Sequence, residues 1–221
     1  MGKTYEGEIK ARVIELRFAS SGKLSSINKK RGDLVKKGEL LASLDKKQLQ
    51  MELDKELGDF EKTRAEFEVY GLQKGEPRDD IAKYLKAQKQ AELNISVKAV
   101  ELAKAKLDSA DLFSPVAGVV IDDSDLAVGM NITPASSPLV IVDSSSFFFV
   151  FRIEQKEVSQ FLISQKVKVK LEGIDKVYAG STIPIFSSKS GKLEVEVKLN
   201  EFSDLLIGLS GQAEIDARKG R

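Results

Sequence analysis

The chain of 221 residues has 35 basic and 34 acidic side chains, a net charge of +1, and 31% charged against 42% hydrophobic residues. Cysteine and histidine are both absent, which excludes disulfides, thiol nucleophiles, Cys- or His-based metal centres and any triad needing a histidine base. No long one-signed run appears, so nucleic acid is not an expected partner, and a modest core under much solvated surface predicts an elongated molecule.

No apolar run is long enough to span a membrane, and Met1-Gly2-Lys3-Thr4 leads straight into strand-like sequence without a leader peptide. From Tyr5 to Leu44 the pattern is one of short strands and tight turns, with alternation in Val13–Phe18 and Leu40–Leu44 and punctuation by Gly22, Gly32 and Gly38. At Asp45 the period becomes helical. Asp45 with Gln48 forms a capping-box pattern, and Leu49, Leu53, Phe60, Phe67 and Tyr70 follow at three-and-four spacing on a helix expected to end near Gly71. The segment Gly71 to Arg78, with two glycines and a proline, must turn. A second helix is predicted from Asp79-Asp80, acids at the positive end of its dipole, to about Asp108. Ile81, Leu85, Gln88, Ile95 and Leu102 mark one stripe along it, and Leu93, Val97, Val100 and Leu107 a second. Two such helices on a short turn should pair antiparallel with arms roughly 40 Å long. One stripe fills the seam and the other needs a further partner, such as a neighbouring copy.

Strand character returns at Leu112. Strands are predicted at 112–120 and 138–143, then at Phe147–Ile153, Val167–Leu171, Tyr178–Ile185, Leu193–Leu199 and Gln212–Ala217, with a short helix over Gln155–Leu162. The last group suggests a small barrel, with the Phe147–Phe151 run as a core strand. The β-rich stretches flanking the helices resemble each other. Ser21-Gly22-Lys23-Leu24, Gly32-Asp33-Leu34-Val35-Lys36-Lys37-Gly38 and Leu44-Asp45 match, in order, Ala117-Gly118-Val119-Val120, Asp125–Gly129 and Val142-Asp143. Two such halves can close into one sandwich that neither completes alone.

These halves resemble the two halves of a biotinyl-lipoyl domain, split by a helical hairpin as in the membrane fusion protein family, the periplasmic adaptors of haemolysin-D and RND efflux type. The resemblance rests on Gly32–Leu41, on Ser114–Val120, on the turn Gly75–Ile81, and on Phe149-Val150-Phe151, Gln165–Val169 and Leu209–Ile215. It implies an α+β, mostly β fold. A β-barrel domain is expected at 1–13 and 144–217, a lipoyl-like domain at 14–45 and 112–143, an α-helical hairpin at 46–111 and a tail at 218–221, the family's membrane-proximal domain being absent or truncated. It further implies a non-enzymatic adaptor bridging an inner-membrane transporter to an outer-membrane channel. Such an adaptor lies in the periplasm, anchored by an N-terminal segment beyond this sequence, and assembles into a ring, hexameric by the family's pattern. No cofactor, metal or catalytic residue is expected.

Partner contact is expected at the hairpin tip, at Arg64, Leu72, Lys74, Pro77 and Arg78. Family tips often pair Arg and Leu with a Ser, whereas residues 63–89 contain no serine; Ser164 likewise stands where the barrel motif commonly has glycine. Gly22, Gly32, Gly38, Gly118 and Gly129 are assigned as structural turn glycines, with close packing as the alternative role for Gly38, Gly118 and Gly129. Lys46 and Lys47 stand where carrier domains present a modified lysine, so a lipoyl or biotinyl carrier or scaffold with an interaction arm is the rival function, although a long insertion replaces the carrier's tight turn. Asp122, Asp123 and Asp125 fall short of a calcium loop, lacking its glycine and distal glutamate.

Overall fold

The computed structural model describes residues 3–77, 79–135, 138–161, 164–187 and 193–215. Before the helices come β1 (Lys3–Lys10), β2 (Val13–Leu16), β3 (Gly22–Ile27), β4 (Leu34–Val35) and β5 (Leu40–Leu44); then α1 (Lys47–Lys74) and α2 (Asp80–Asp108). After them come β6 (Asp111–Phe113), β7 (Gly118–Asp122), β8 (Asn131–Ile132), β9 (Leu139–Asp143) and β10 (Phe148–Ile153). A 3-10 helix (Gln155–Phe161) leads to β11 (Lys166–Leu171), β12 (Val177–Ser187), β13 (Leu193–Leu199) and β14 (Ser210–Ile215). The mostly β class is as expected.

Two four-stranded sheets, ordered β2-β9-β7-β4 and β6-β5-β3-β8, draw strands from both sides of the helices. They share one core: Val35, Val120, Leu139 and Ile141 from the first sheet meet Leu24, Leu41, Leu44, Leu112 and Ile132 from the second. β4 pairs with β7, β3 with β8 and β5 with β6, so neither flank completes a sheet without the other.

The remaining strands close a six-stranded barrel, β1-β10-β13-β12-β11-β14. Strict alternation builds it: Val167, Val169 and Leu171 are buried while Lys166, Lys168 and Lys170 face water. Phe147, Phe149 and Phe151 are buried as a set, each full burial worth roughly 1.5–3 kcal/mol. Tyr5, Phe151 and Phe161 stack at 4.9–5.6 Å between ring centroids, tying the 3-10 helix to the core. Beside them Glu157 is only 7% exposed. Its carboxylate accepts from the Lys3 ammonium, from Tyr5 Oη at 3.4 Å and from the Glu154 N–H at 3.0 Å. Lys3 first, and then the Glu154 N–H, hold Glu157 below the usual carboxylate range against the opposing effect of burial.

Local boundaries differ from the sequence reading at both ends of α1, at β14, and over 112–120, where two strands, β6 and β7, replace one. The first helix is capped at Lys46 without a side-chain bond. Asp45 is kept out of it because its N–H donates to Lys23 O at 2.7 Å, extending the sheet, while its carboxylate accepts from the Lys47 N–H at 3.0 Å. At the other end α1 passes through Gly71 and stops at Gly75, which takes a φ of 62° that L side chains rarely adopt. β14 begins at Ser210, two residues before the expected start, and Asp216 and Ala217 lie outside the described residues.

Candidate functional site

The features outside the cores are the two helices and the turn that joins them. Their base is fixed where α1 leaves β5 and α2 enters β6. There Asp111 accepts from Ser43 Oγ and from Lys46 Nζ, each at 2.6 Å. Burial works against ionisation of Asp111, but Lys46 and Ser43 outweigh it, and its pKa lies below the usual range. One turn on, Lys106 Nζ meets Glu52 at 2.5 Å, pinning the helices to each other.

Above the base, the helices' main packing partner is each other. α1 turns Leu53, Phe60, Phe67 and Tyr70 inward, all half-buried as their spacing predicts, with Leu49 below them packed against the core of the two sheets. α2 answers with Leu93, Ser96, Val100, Ala103 and Leu107, and only Ala103 is fully buried in either helix. Spacings alternating four and three define a seven-residue repeat, the pattern of a left-handed supercoiled pair. Of the two stripes on α2, the one with Leu93, Val100 and Leu107 makes the seam. Ile81, Leu85, Ile95 and Leu102 are left 48–73% exposed.

At the turn, Asp79 caps α2 by accepting from the Ala82 N–H at 2.7 Å, and Lys86 reaches back to Glu76 at 3.4 Å. Tyr70, Pro77, Ile81, Ala82 and Leu85 surround a shallow notch of about 300 Å³. Leu72 is 87% exposed one turn away, and Lys74 is the last residue of α1. The structure therefore gathers Leu72, Lys74 and Pro77 at one end. Arg78 lies outside the described residues. Arg64 is not part of this group: it sits ten residues before the end of α1, about 15 Å lower, in an exposed pair with Glu68 at 2.9 Å. Sequence reasoning missed Tyr84, which is 77% exposed on the second turn of α2. Its spacing from Ile81 marked it, but it fell outside both stripes.

The glycine assignments divide into two groups. Gly32, Gly38 and Gly129 hold positive φ in turns. Gly22 and Gly118 instead open strands β3 and β7, which corrects their assignment to turns and leaves the close packing also expected of Gly118. Gly118 is needed for space, since a Cβ there would stand 1.9 Å from Val142 O, whereas one on Gly22 would press at 3.2 Å on the Leu44 side chain. The remaining candidates have structural partners. Lys46 is engaged by Asp111 and Lys47 opens α1. Asp122 accepts from the Ser124 N–H at 2.8 Å and Asp123 from the Arg31 N–H at 3.3 Å.

Comparison with known proteins adds the family. A family model described as "RND MFP, barrel-sandwich hybrid domain" matches residues 12–144. The multidrug resistance protein MdtA of Pectobacterium carotovorum subsp. carotovorum (strain PC1) is 28% identical over 177 residues, covering 71% of this chain and 41% of that protein. The chain thus spans about two fifths of its curated relative's length. The membrane fusion protein Spr0693 of Streptococcus pneumoniae R6 superposes with a TM-score of 0.78 at 17% identity, over 98% of this chain and 100% of that one. A MacA–MexA chimera containing the Pseudomonas aeruginosa MexA α-hairpin domain superposes with a TM-score of 0.77 at 20% identity, over 97% of this chain and 81% of that one. These two likenesses establish the fold, and the family match spans more than half of the residues: the chain belongs to the RND-type membrane fusion proteins.

Proposed function

We propose that this chain is the periplasmic adaptor of an efflux or secretion system, a non-catalytic subunit linking an inner-membrane transporter to an outer-membrane channel. In this reading the paired sheets are the lipoyl-like sandwich, the helices are its inserted hairpin, and the barrel end faces the transporter. Copies pack side by side into a ring whose sandwiches and barrels wall a conduit, anchored to the inner membrane by a segment upstream of this sequence. The observation that most supports it is the helix pair itself. Arms of about 42 Å rise from adjacent strands β5 and β6, are clamped at the base by Asp111, and bury a single side chain. A rigid arm with an apolar end has no use in stabilising the rest of the chain and suits contact at a distance. The carrier reading is less well supported, since Lys46 is held in an ion pair and no tight turn presents either lysine.

The test is export by cells lacking the chromosomal copy of the adaptor, complemented with Leu72→Asp. Leu72 is exposed, so stability should change by less than about 0.5 kcal/mol, and export should fall at unchanged protein level. Full export by this variant would remove the turn from the contact surface.

A further inference from the structure

The chain crosses twice between the barrel and the paired sheets. β1 ends at Lys10 and β2 begins at Val13; β9 ends at Asp143 and β10 begins at Phe148. The two crossings are one interrupted ribbon. In the barrel Lys10 pairs with Phe148, and in the sheets Val13 pairs with Val142. Between these pairs the Asp143 N–H donates to Arg12 O at 3.0 Å, so the sheet ladder runs one residue past β2. Counting on from Lys10 sets Ala11 opposite Phe147, and the residues left over are Ser144, Ser145 and Ser146. They form an outsized bulge on one strand of the ribbon, and a bulge bends the strand that carries it.

Serine-rich connections are flexible when nothing in the protein engages them. Here all three hydroxyls donate to the chain. Ser144 Oγ donates to Ala117 O at 3.1 Å, and Ser145 Oγ to Asp143 Oδ1 at 2.6 Å. Ser146 Oγ donates to Asp143 O at 2.9 Å and accepts from the Arg12 N–H at 2.8 Å. Among the described residues that N–H has no backbone carbonyl partner, so the Ser146 hydroxyl joins the two crossings where the ladder lapses. Apolar packing acts at the same place. Val142, a residue of the sheets, is 4% exposed and belongs to the barrel core with Phe147, and Ala11 packs against that core.

We infer that the serine run is a clasp that fixes the angle between the barrel and the paired sheets, with the Ser146 hydroxyl as its latch. A turn of the barrel is then carried through the sheets to the base of the helices, where Asp111 holds Lys46 and Ser43. The inference concerns the mechanics of the chain and is independent of the adaptor reading.

Because the chain contains no cysteine, spin labels can be attached at chosen sites. Lys168 on β11, Lys23 on β3 and Lys62 on α1 are exposed. Labels on Lys168→Cys with Lys23→Cys report the barrel against the sheets by double electron–electron resonance; labels on Lys23→Cys with Lys62→Cys report the sheets against the arm. The parent should give one narrow distance distribution for the first pair. Ser146→Ala should widen it at least twofold and leave the second pair unchanged, and Ser146→Thr, which keeps the hydroxyl, should restore the narrow distribution. Ser144→Ala removes a hydroxyl bonded only within the sheet layer and should leave both pairs unchanged. A first-pair distribution in the parent as wide as in Ser146→Ala overturns the inference, because the run is then a hinge. Equal widening by Ser144→Ala, or widening of both pairs by Ser146→Ala, marks general loosening and overturns it as well.

Discussion

Replacing Glu157 with glutamine preserves shape and a carbonyl acceptor for the Glu154 N–H but removes the charge facing Lys3. Glu157 is 7% exposed, whereas the Lys3 side chain is 54% exposed, so water screens one side of the pair. The loss is therefore set at about 1–2 kcal/mol, nearer a charge-assisted hydrogen bond than a fully buried ion pair. In a chain of this size that corresponds to a melting temperature lower by about 3–6 °C. The pH dependence is the sharper part. Folding holds the Glu157 pKa below its ordinary 4.5. Its stabilisation is then complete above that value and fades as pH falls through the lower folded-state pKa. Urea unfolding followed by far-UV circular dichroism, from about pH 7 down to about pH 3, should show the gap between parent and Glu157→Gln closing in acid. A gap of constant size across that range, or none at neutral pH, would refute the assignment of Glu157 as an ionised clasp between β1 and the 3-10 helix.

Gly118→Ala places a methyl against Val142 O, forcing β7 away from β9. A loss of about 3 kcal/mol is expected in chemical denaturation, at the upper end of overpacking costs. Asp79→Ala removes the acceptor for the Ala82 N–H and should cost about 1 kcal/mol, read as fraying at the start of α2 by amide hydrogen exchange, with the barrel unaffected.

The regular periods of this fold were legible. The seven-residue seam of α1 and the alternation of β11 both follow from one residue's relation to its near neighbours. Properties that depend on pairs distant in sequence were less so. The Ile-bearing stripe of α2 looked no less suited to the seam than the stripe that fills it. The structure distinguishes them by burial: α2 turns Leu93, Ser96, Val100 and Ala103 inward and leaves Ile81, Leu85, Ile95 and Leu102 exposed. Gly71 was read as a helix end because glycine usually is one, but Gly75 lies one turn beyond and alone takes the positive φ. Among the expected contact residues, Leu72, Lys74 and Pro77 converge. Arg64 resembled a motif remnant, but a helix rises too steadily to bring it to the turn. Two partners of Glu157, Lys3 and Tyr5, lie some 150 positions away, beyond the reach of any local pattern.

The ladder between β1 and β14 has a kinetic consequence. It joins Lys3 to Ile215 and Thr4 to Glu214, nearly the greatest sequence separation the chain allows. Loops of that length close slowly. The helices can form from local contacts, and the paired sheets once β9 is free to join them, but the barrel cannot close before β14 reaches β1. Until then Phe149, Phe151 and the open edge of β1 stay unprotected, so the interval before closure is when this chain is most exposed to aggregation and proteolysis.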